Sequence, residues 1–279
     1  MIIWIASYPK SGNTWVRSFL SAYYFSSDGN FKFDLLKNIK QFPSKEFFKD
    51  KILSVEDAAE KWLVPQKEIK NKQKAYFLKT HNVYGAYKGK HFTTNEFTLG
   101  SIYIVRDPRN IISSLMNHYS IEEDEALKMI KSIFKNLKDG KDPNDYSNYT
   151  FISSWANNYN SWKSASKIKK LFIKYEDLEL NRDETFLKIL NFINKLLNKK
   201  EEIDGKKLRN SIKSTNFDIL KREEEKHGFS EAVYSLKDNK KKIFFNLGKE
   251  NNYKKLLKEK TIEAIEKEFN KEMKEIGYL

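Results

Sequence analysis

The sequence predicts an α/β fold: one domain, residues 1–279, with a central parallel sheet flanked by helices. Three observations carry that reading. Short apolar segments rich in β-branched and aromatic residues alternate with segments whose apolar residues recur at helical spacing, the order that builds a parallel sheet with crossover helices. No internal repeat and no compositional break marks a linker. A chain of 279 residues buries about three quarters of its unfolded surface, enough for a single core without disulfide or metal staples.

The elements follow in order. Ile2–Ala6 is a continuous apolar run, as a strand buried on both faces requires. Ser7-Tyr8-Pro9-Lys10-Ser11-Gly12-Asn13 is a loop by composition. Trp15, Val16, Phe19, Leu20 and Tyr23 then recur as a helix stripe. Ala75–Leu78 and Ser101–Val105 are the next strand candidates. Arg106-Asp107-Pro108 puts a proline at a helix start, and Ile111, Ile112 and Leu115 continue that helix. Ile152, Trp155, Tyr159 and Trp162 step by 3, 4 and 3, again helical. Leu171–Lys174 is a fourth strand candidate, before Tyr175-Glu176-Asp177. Phe186, Leu187, Leu190, Ile193 and Leu197 mark another helix, and Ile262, Ile265, Phe269, Met273 and Ile276 the last. Two polar stretches, Lys138–Asn148 and Lys221–Lys242, read as surface loops of the length that lids have. The second carries Glu223-Glu224-Glu225 and Lys240-Lys241-Lys242, which read as solvated charge runs.

Composition narrows the chemistry. Lys plus Arg is 52 against 38 Asp plus Glu, a net charge of +14, and only six of those cations are arginines. Dispersed lysines make a solvated surface, whereas an arginine at a special position carries a planar fork suited to phosphate. The absence of cysteine excludes disulfides, thiolate nucleophiles and cysteine-ligated zinc. His81, His91, His118 and His227 show no H-x-x-x-H pair, so no metal is expected. No apolar run reaches the ~18 residues of a membrane span. The start, Met-Ile-Ile-Trp-Ile-Ala, lacks the basic n-region of a signal peptide, and a soluble cytoplasmic protein is expected.

Three places carry candidate chemistry. The loop Ser7–Thr14 joins a strand to a helix, where backbone N–H groups and the positive helix end cradle an anion. Lys10 adds a point charge, and Ser11, Asn13 and Thr14 add neutral donors. The plainer alternative is a polar loop with Asn13 or Thr14 as the helix cap. The loop is P-loop-like without being a Walker loop: its lysine precedes Gly12, and no magnesium-binding hydroxyl or strand-ending aspartate accompanies it. Arg106 stands at a strand end with Ser114 eight residues on; the alternatives are an ion pair with Asp107 or another carboxylate, and a helix surface serine. His81 follows the second strand candidate, at the sheet edge where α/β sites gather. Its ordinary pKa of ~6.5 suits a base near neutral pH.

Tyr8-Pro9-Lys10-Ser11-Gly12-Asn13-Thr14-Trp15 closely resembles the Y-P-K-S-G-T-T-W loop of sulfotransferases dependent on 3′-phosphoadenosine 5′-phosphosulfate (PAPS), with Asn13 as the one change. Arg106-Asp107-Pro108 and Ser114 match that family's R-[DN]-P and following serine, and Lys79-Thr80-His81 matches its K-T-H. The resemblance implies an enzyme that moves a sulfuryl group, in line and without a metal, from PAPS to a hydroxyl, or secondarily an amine, of a small molecule. It implies that Lys10, Ser11, Gly12, Asn13 and Thr14 hold the 5′-phosphosulfate, with Lys10 on the bridging oxygen. Arg106 and Ser114 would grip the 3′-phosphate. His81 would take the acceptor proton while Lys79 helps to hold the transferring group. Tyr175, Thr215 and Phe217, in segments similar to the family's Y-E-D and T-S-F, would line the adenine end, with Trp15 as a further aromatic face and Gly248 nearby.

There are departures. In Phe244-Phe245-Asn246-Leu247-Gly248, Asn246 and Leu247 stand where the family has Arg and Lys, and Tyr253 stands for Trp. Either Lys249 or a loop lysine replaces that grip, or the donor binds more weakly. Thr261, Ile262 and Glu266 fit the family's dimer segment loosely, with Leu257 in place of its lysine, which leaves a homodimer open. The expected acceptor segments are 28–49, 82–97, 138–149 and 221–242, with Phe31, Phe33, Phe42, Phe47, Phe48, Tyr84 and Tyr87 either lining the pocket or simply packed. The rivals are a P-loop kinase or NTPase, which the missing Walker features disfavour, and a polyanion-binding protein, which the dispersed lysines disfavour; no nucleic-acid partner is expected.

Overall fold

In the computed structural model, which describes residues 1–138, 142–232 and 242–279, the apolar run at the start forms β1 (Ile2–Ser7) with all of its residues buried. Its side chains alternate between two cores, as the pleat requires. Ile2, Trp4 and Ala6 face one, with Phe42, Phe92, Trp155 and Phe269. Ile3 and Ile5 face the other, with Val16, Phe19, Leu20, Phe186 and Ile193.

The remaining strands are β2 (Lys40–Gln41), β3 (Tyr76–Thr80), β4 (Ala86–Tyr87), β5 (Lys90–His91), β6 (Thr98–Val105), β7 (Asn136–Lys138), β8 (Tyr149–Phe151) and β9 (Lys170–Lys174). The main sheet runs β2-β3-β1-β6-β9, every pair parallel. β4–β5 and β7–β8 are small antiparallel pairs. The chain leaves β1 for β3 on one side and crosses to β6 on the other. Such a reversal opens a crevice beyond the strand ends. Ala6 is level with Thr80, and Ser7 with Ile104, so the loops after β1, β3 and β6 open at one edge.

The four expected main strands are all present and longer by one or more residues, although the second begins at Tyr76, not Ala75, and runs on to Thr80. Other expectations need correction. Ile152 lies outside the helix Trp155–Ser164, because the Ser154 side chain caps that helix by accepting from the Asn157 N–H. In the helix Arg182–Leu197, Leu187 is exposed, and the inward stripe is Phe186, Ile189, Leu190, Ile193 and Leu196. The last stripe is divided between Glu259–Glu268 and Asn270–Ile276, with the break at buried Phe269. Residues 221–227 are not loop; they are the end of the helix Phe217–His227, and Glu224 is buried rather than solvated. Both of its carboxylate oxygens accept backbone N–H groups, from Phe244 and Phe245, at 2.8 Å each. Lys240 and Lys241 lie outside the described residues. Among the described residues no helix is long and apolar enough to cross a membrane.

Candidate functional site

The crevice holds a cavity of about 870 Å³, within the ~300–1,000 Å³ usual for ligand sites. Its floor is the loop between β1 and the helix Asn13–Phe25. Gly12 begins that helix with φ +94°, and a Cβ there would meet the Tyr175 ring at 2.5 Å, so only glycine fits. Neither Asn13 nor Thr14 is the cap. Asn13 instead donates its side-chain N–H groups to Ile5 O at 2.9 Å and Ser7 Oγ at 3.2 Å, tying the helix to β1. This turns its amide N–H groups away from the cavity it borders, contrary to the expected role as donor. Lys10 adopts φ +65°, a left-handed conformation that costs a side-chain-bearing residue energy and is typical of functional loops. Its ammonium lies 4.0 Å from the Phe244 ring centre. Burial, then the charges of Lys79 and Arg106, push Lys10 down to about 7.

β3 delivers Lys79 and His81. Lys79 is buried, with Nζ 3.1 Å from Glu231 Oε2. His81 Nδ1 lies 2.8 Å from the Ser7 carbonyl oxygen and 3.2 Å from Ser7 Oγ. A carbonyl only accepts, so Nδ1 carries the hydrogen and Nε2 keeps its lone pair. Burial, reinforced by the Lys79 charge, pushes the imidazole down to about 3. The ring is therefore neutral at physiological pH.

β6 delivers Arg106. Its guanidinium lies 3.9 Å from the Tyr175 ring centre and donates from Nη1 to Lys10 O at 3.0 Å. Its buried Nε has no partner among the described residues. The expected alternative, a pair with Asp107, is not formed. Asp107 binds Arg109 instead, with Nε–Oδ1 at 2.9 Å and Nη2–Oδ2 at 2.6 Å. Ser114, two turns along the helix Pro108–Tyr119, borders the same cavity. Trp15, Tyr175 and Phe217 form an aromatic wall, with ring centres 5.8 and 6.4 Å apart about Trp15. Gly248 reaches the wall at φ +52°, where a Cβ would lie 2.5 Å from the Phe217 ring.

Lys10, Gly12, Asn13, Thr14, Trp15, Lys79, His81, Arg106, Ser114, Tyr175, Phe217 and Gly248 thus share one cavity. Two expected residues stand behind its surface. Ser11 is buried under the loop, its hydroxyl unpartnered among the described residues. Thr215 accepts the Trp15 indole N–H on its carbonyl at 2.7 Å and donates its hydroxyl to Ser211 O at 2.6 Å. It braces Trp15. Asn246 and Leu247 border the cavity, and Lys249 is exposed away from it. Among the described residues, segment 82–97 contributes nothing to the lining, 28–49 only Gln41, 138–149 only Lys138 and 221–242 Ser230 to Ala232. The seven aromatics weighed for the acceptor pocket sit in or against the two cores instead. Thr261 and Glu266 of the loose dimer segment bind Glu123 and Arg109 within the chain.

Sequence reasoning passed over Arg17, His118 and Glu231. Arg17 lies one turn beyond Thr14 and is buried, with Nε on Ile39 O at 2.6 Å and Nη2 on Leu36 O at 3.1 Å. Its rarity and its place in the first helix were the available signal. His118 lies one turn beyond Ser114 on the cavity wall, and burial, with Lys10 and Lys79 nearby, pushes it down to about 3. Glu231 enters from a segment far away in sequence and meets Arg17, Lys79 and Thr14. No local pattern marks it.

Comparison with known proteins places this architecture. Over 208 residues the chain is 25% identical to the amine sulfotransferase of Oryctolagus cuniculus, a match covering 73% of this chain and 59% of that protein's length. In structure it resembles mouse sulfotransferase SULT7A1 complexed with PAP, with TM-score 0.60 and 18% identity over 97% of this chain and 83% of that one. It also resembles retinol dehydratase in complex with androsterone and the inactive cofactor PAP, with TM-score 0.60 and 14% identity over 98% and 80% of the two chains. The sulfotransferase domain family matches from residue 2 to residue 277, and the chain belongs to that family.

Proposed function

We propose that the protein transfers a sulfuryl group from PAPS to the hydroxyl of a small molecule. The observation that carries this reading is Arg106: a buried guanidinium on an aromatic face, with an Nε that has no hydrogen-bond partner among the described residues, opening into the cavity that also holds Lys10, Lys79 and His81. A fixed fork of this kind suits a phosphate dianion. Lys10 and Thr14, which border the same cavity where the helix Asn13–Phe25 begins, fit the donor's other end.

When bound, the donor supplies the sulfuryl group and leaves as 3′-phosphoadenosine 5′-phosphate (PAP). The chain's own residues do the rest. Arg106 and Ser114 hold the 3′-phosphate, and Trp15, Tyr175 and Phe217 hold the adenine. Lys10, Thr14 and the helix N–H groups hold the 5′-phosphate. His81 accepts the acceptor's proton at Nε2, because Nδ1–H is committed to Ser7. Lys10 and Lys79 neutralise charge on the migrating and leaving oxygens, which is most of what an in-line transfer with a loose transition state asks of a protein. The rabbit relative's name points to amines, so an acceptor panel needs both hydroxyls and amines.

The test is a titration of PAP and of 5′-AMP into the wild type and Arg106→Ala. PAP should bind the wild type more tightly than AMP. The variant should lose about 3 kcal/mol, roughly 150-fold, for PAP and little for AMP, as expected of two charge-assisted hydrogen bonds. Tighter binding of ATP with magnesium than of PAP would overturn the proposal.

A further inference from the structure

Glu231 borders the cavity and pairs with two buried cations, Arg17 of the helix Asn13–Phe25 and Lys79 of β3. Its Oε1 pairs with Arg17 Nη1, and its Oε2 accepts from Lys79 Nζ at 3.1 Å and Thr14 Oγ1 at 3.3 Å. Thr14 and Lys79 are the groups that the proposed function assigns to the 5′-phosphate and to the migrating sulfuryl group. We propose that Glu231 is an internal anion that occupies the sulfuryl end of the donor site, and that donor binding exchanges its carboxylate for phosphosulfate oxygens. The inference rests on the donor reading above.

Four features support it. The first is shared ligands: one ammonium and one hydroxyl cannot serve the carboxylate and the donor in the same geometry. The second is charge. Burial pushes the Glu231 carboxyl up, but Lys79 and Arg17 outweigh burial and hold it well below the usual carboxylate range, so it stays an anion at neutral pH. The third is the parking place. Arg17 is fixed by the Ile39 and Leu36 carbonyls and, unlike Lys79, does not line the cavity, so Oε1 keeps its partner while Oε2 gives way. The fourth is the anchor. Phe229 is buried, with its ring centre 4.9 Å from Phe33 and 5.0 Å from Phe244, so the exchange is a side-chain movement on a pinned segment.

The rival role is a permanent strut that orients Lys79. The two differ in sign. If Glu231 competes with the donor, Glu231→Gln removes the competing charge while keeping the shape, and PAP and 5′-AMP should both bind about tenfold more tightly, the value of one charge-assisted contact of ~1.4 kcal/mol. Glu231→Asp keeps the charge on a stem one carbon shorter and should give a smaller gain in the same direction. Calorimetric titration, with melting curves to verify folding, reads the effect. Unchanged or weaker nucleotide binding by folded Glu231→Gln and Glu231→Asp would overturn the exchange and favour the strut. A wild type that binds neither nucleotide would remove the donor reading and this inference together. Tight PAP binding to the wild type with no gain in the variants would remove this inference alone.

Discussion

Lys10 offers the sharpest quantitative test. Burial, Lys79 and Arg106 bring its ammonium to about 7 in the free protein. Below that pH the group is a cation; above it the group is a neutral amine. An anion bound against it favours the cation and raises its pKa in the complex, so binding weakens as pH rises through 7. Each unit above 7 then costs about 1.4 kcal/mol, or tenfold in Kd, until the complex itself titrates. From pH 7, where the group is already half deprotonated, to pH 9 the loss for PAP should approach about 50-fold, on the order of 2.3 kcal/mol. PAP completes its second ionisation near pH ~6, below this window. His81 and His118, each near 3, and Glu231, held low, do not titrate within it. Calorimetric titrations of PAP at pH 7, 8 and 9 measure the slope, with Lys10→Met and Lys10→Arg beside the wild type. Met should bind weakly and Arg more strongly, both without the slope. A flat wild-type profile, or a slope that persists in Lys10→Met, would refute the reasoning.

Two further expectations concern His81 and Arg109. His81→Ala should lower kcat by about 10²–10⁴ while leaving PAP affinity nearly unchanged. The acid limb of wild-type kcat/KM for the acceptor, measured with the donor saturating so that the donor's own ionisation near pH ~6 does not enter, should lie well below pH ~6.5, because burial and the Lys79 charge push the imidazole down to about 3. A half-point at the ordinary histidine value would contradict the burial argument. Arg109→Ala should cost about 3–5 kcal/mol of stability, since it strands buried Asp107. It also frees Glu266 and the Tyr278 carbonyl, which Arg109 holds at 2.9 Å. The melting temperature should fall by roughly 10 °C, and a drop within error would show that the network contributes little.

The parts of the site built by consecutive residues were legible in the sequence. The β1 loop, Arg106 with Ser114, and Lys79 with His81 each combine a strand end with residue types that its chemistry needs. What escaped was set by distance along the chain or by local geometry. Glu224 sits in a run of three glutamates, and only the fold shows that it receives the N–H groups of Phe244 and Phe245. Asn13 has the residue type of a phosphate donor, yet the close approach of β1 turns its amide toward Ile5 O. Thr215 matches a pocket motif, but the helix end directs its hydroxyl back to Ser211. The edge strand β2 has two residues, too few for any periodicity to register.

The position of β1 in the sheet also bears on how the chain reaches its native state. Both partners of this strand come later in sequence: Ile2 lies level with Tyr76 on one side and Thr98 on the other, more than seventy and more than ninety residues on. Closing the nearer loop costs about 4 kcal/mol of chain entropy beyond a constant, before any pairing compensates. Until then an apolar, β-prone segment has both edges open, a template for association between molecules. Refolding yield should therefore fall with protein concentration, and a chaperone that shields short apolar stretches would act first on Ile2–Ala6.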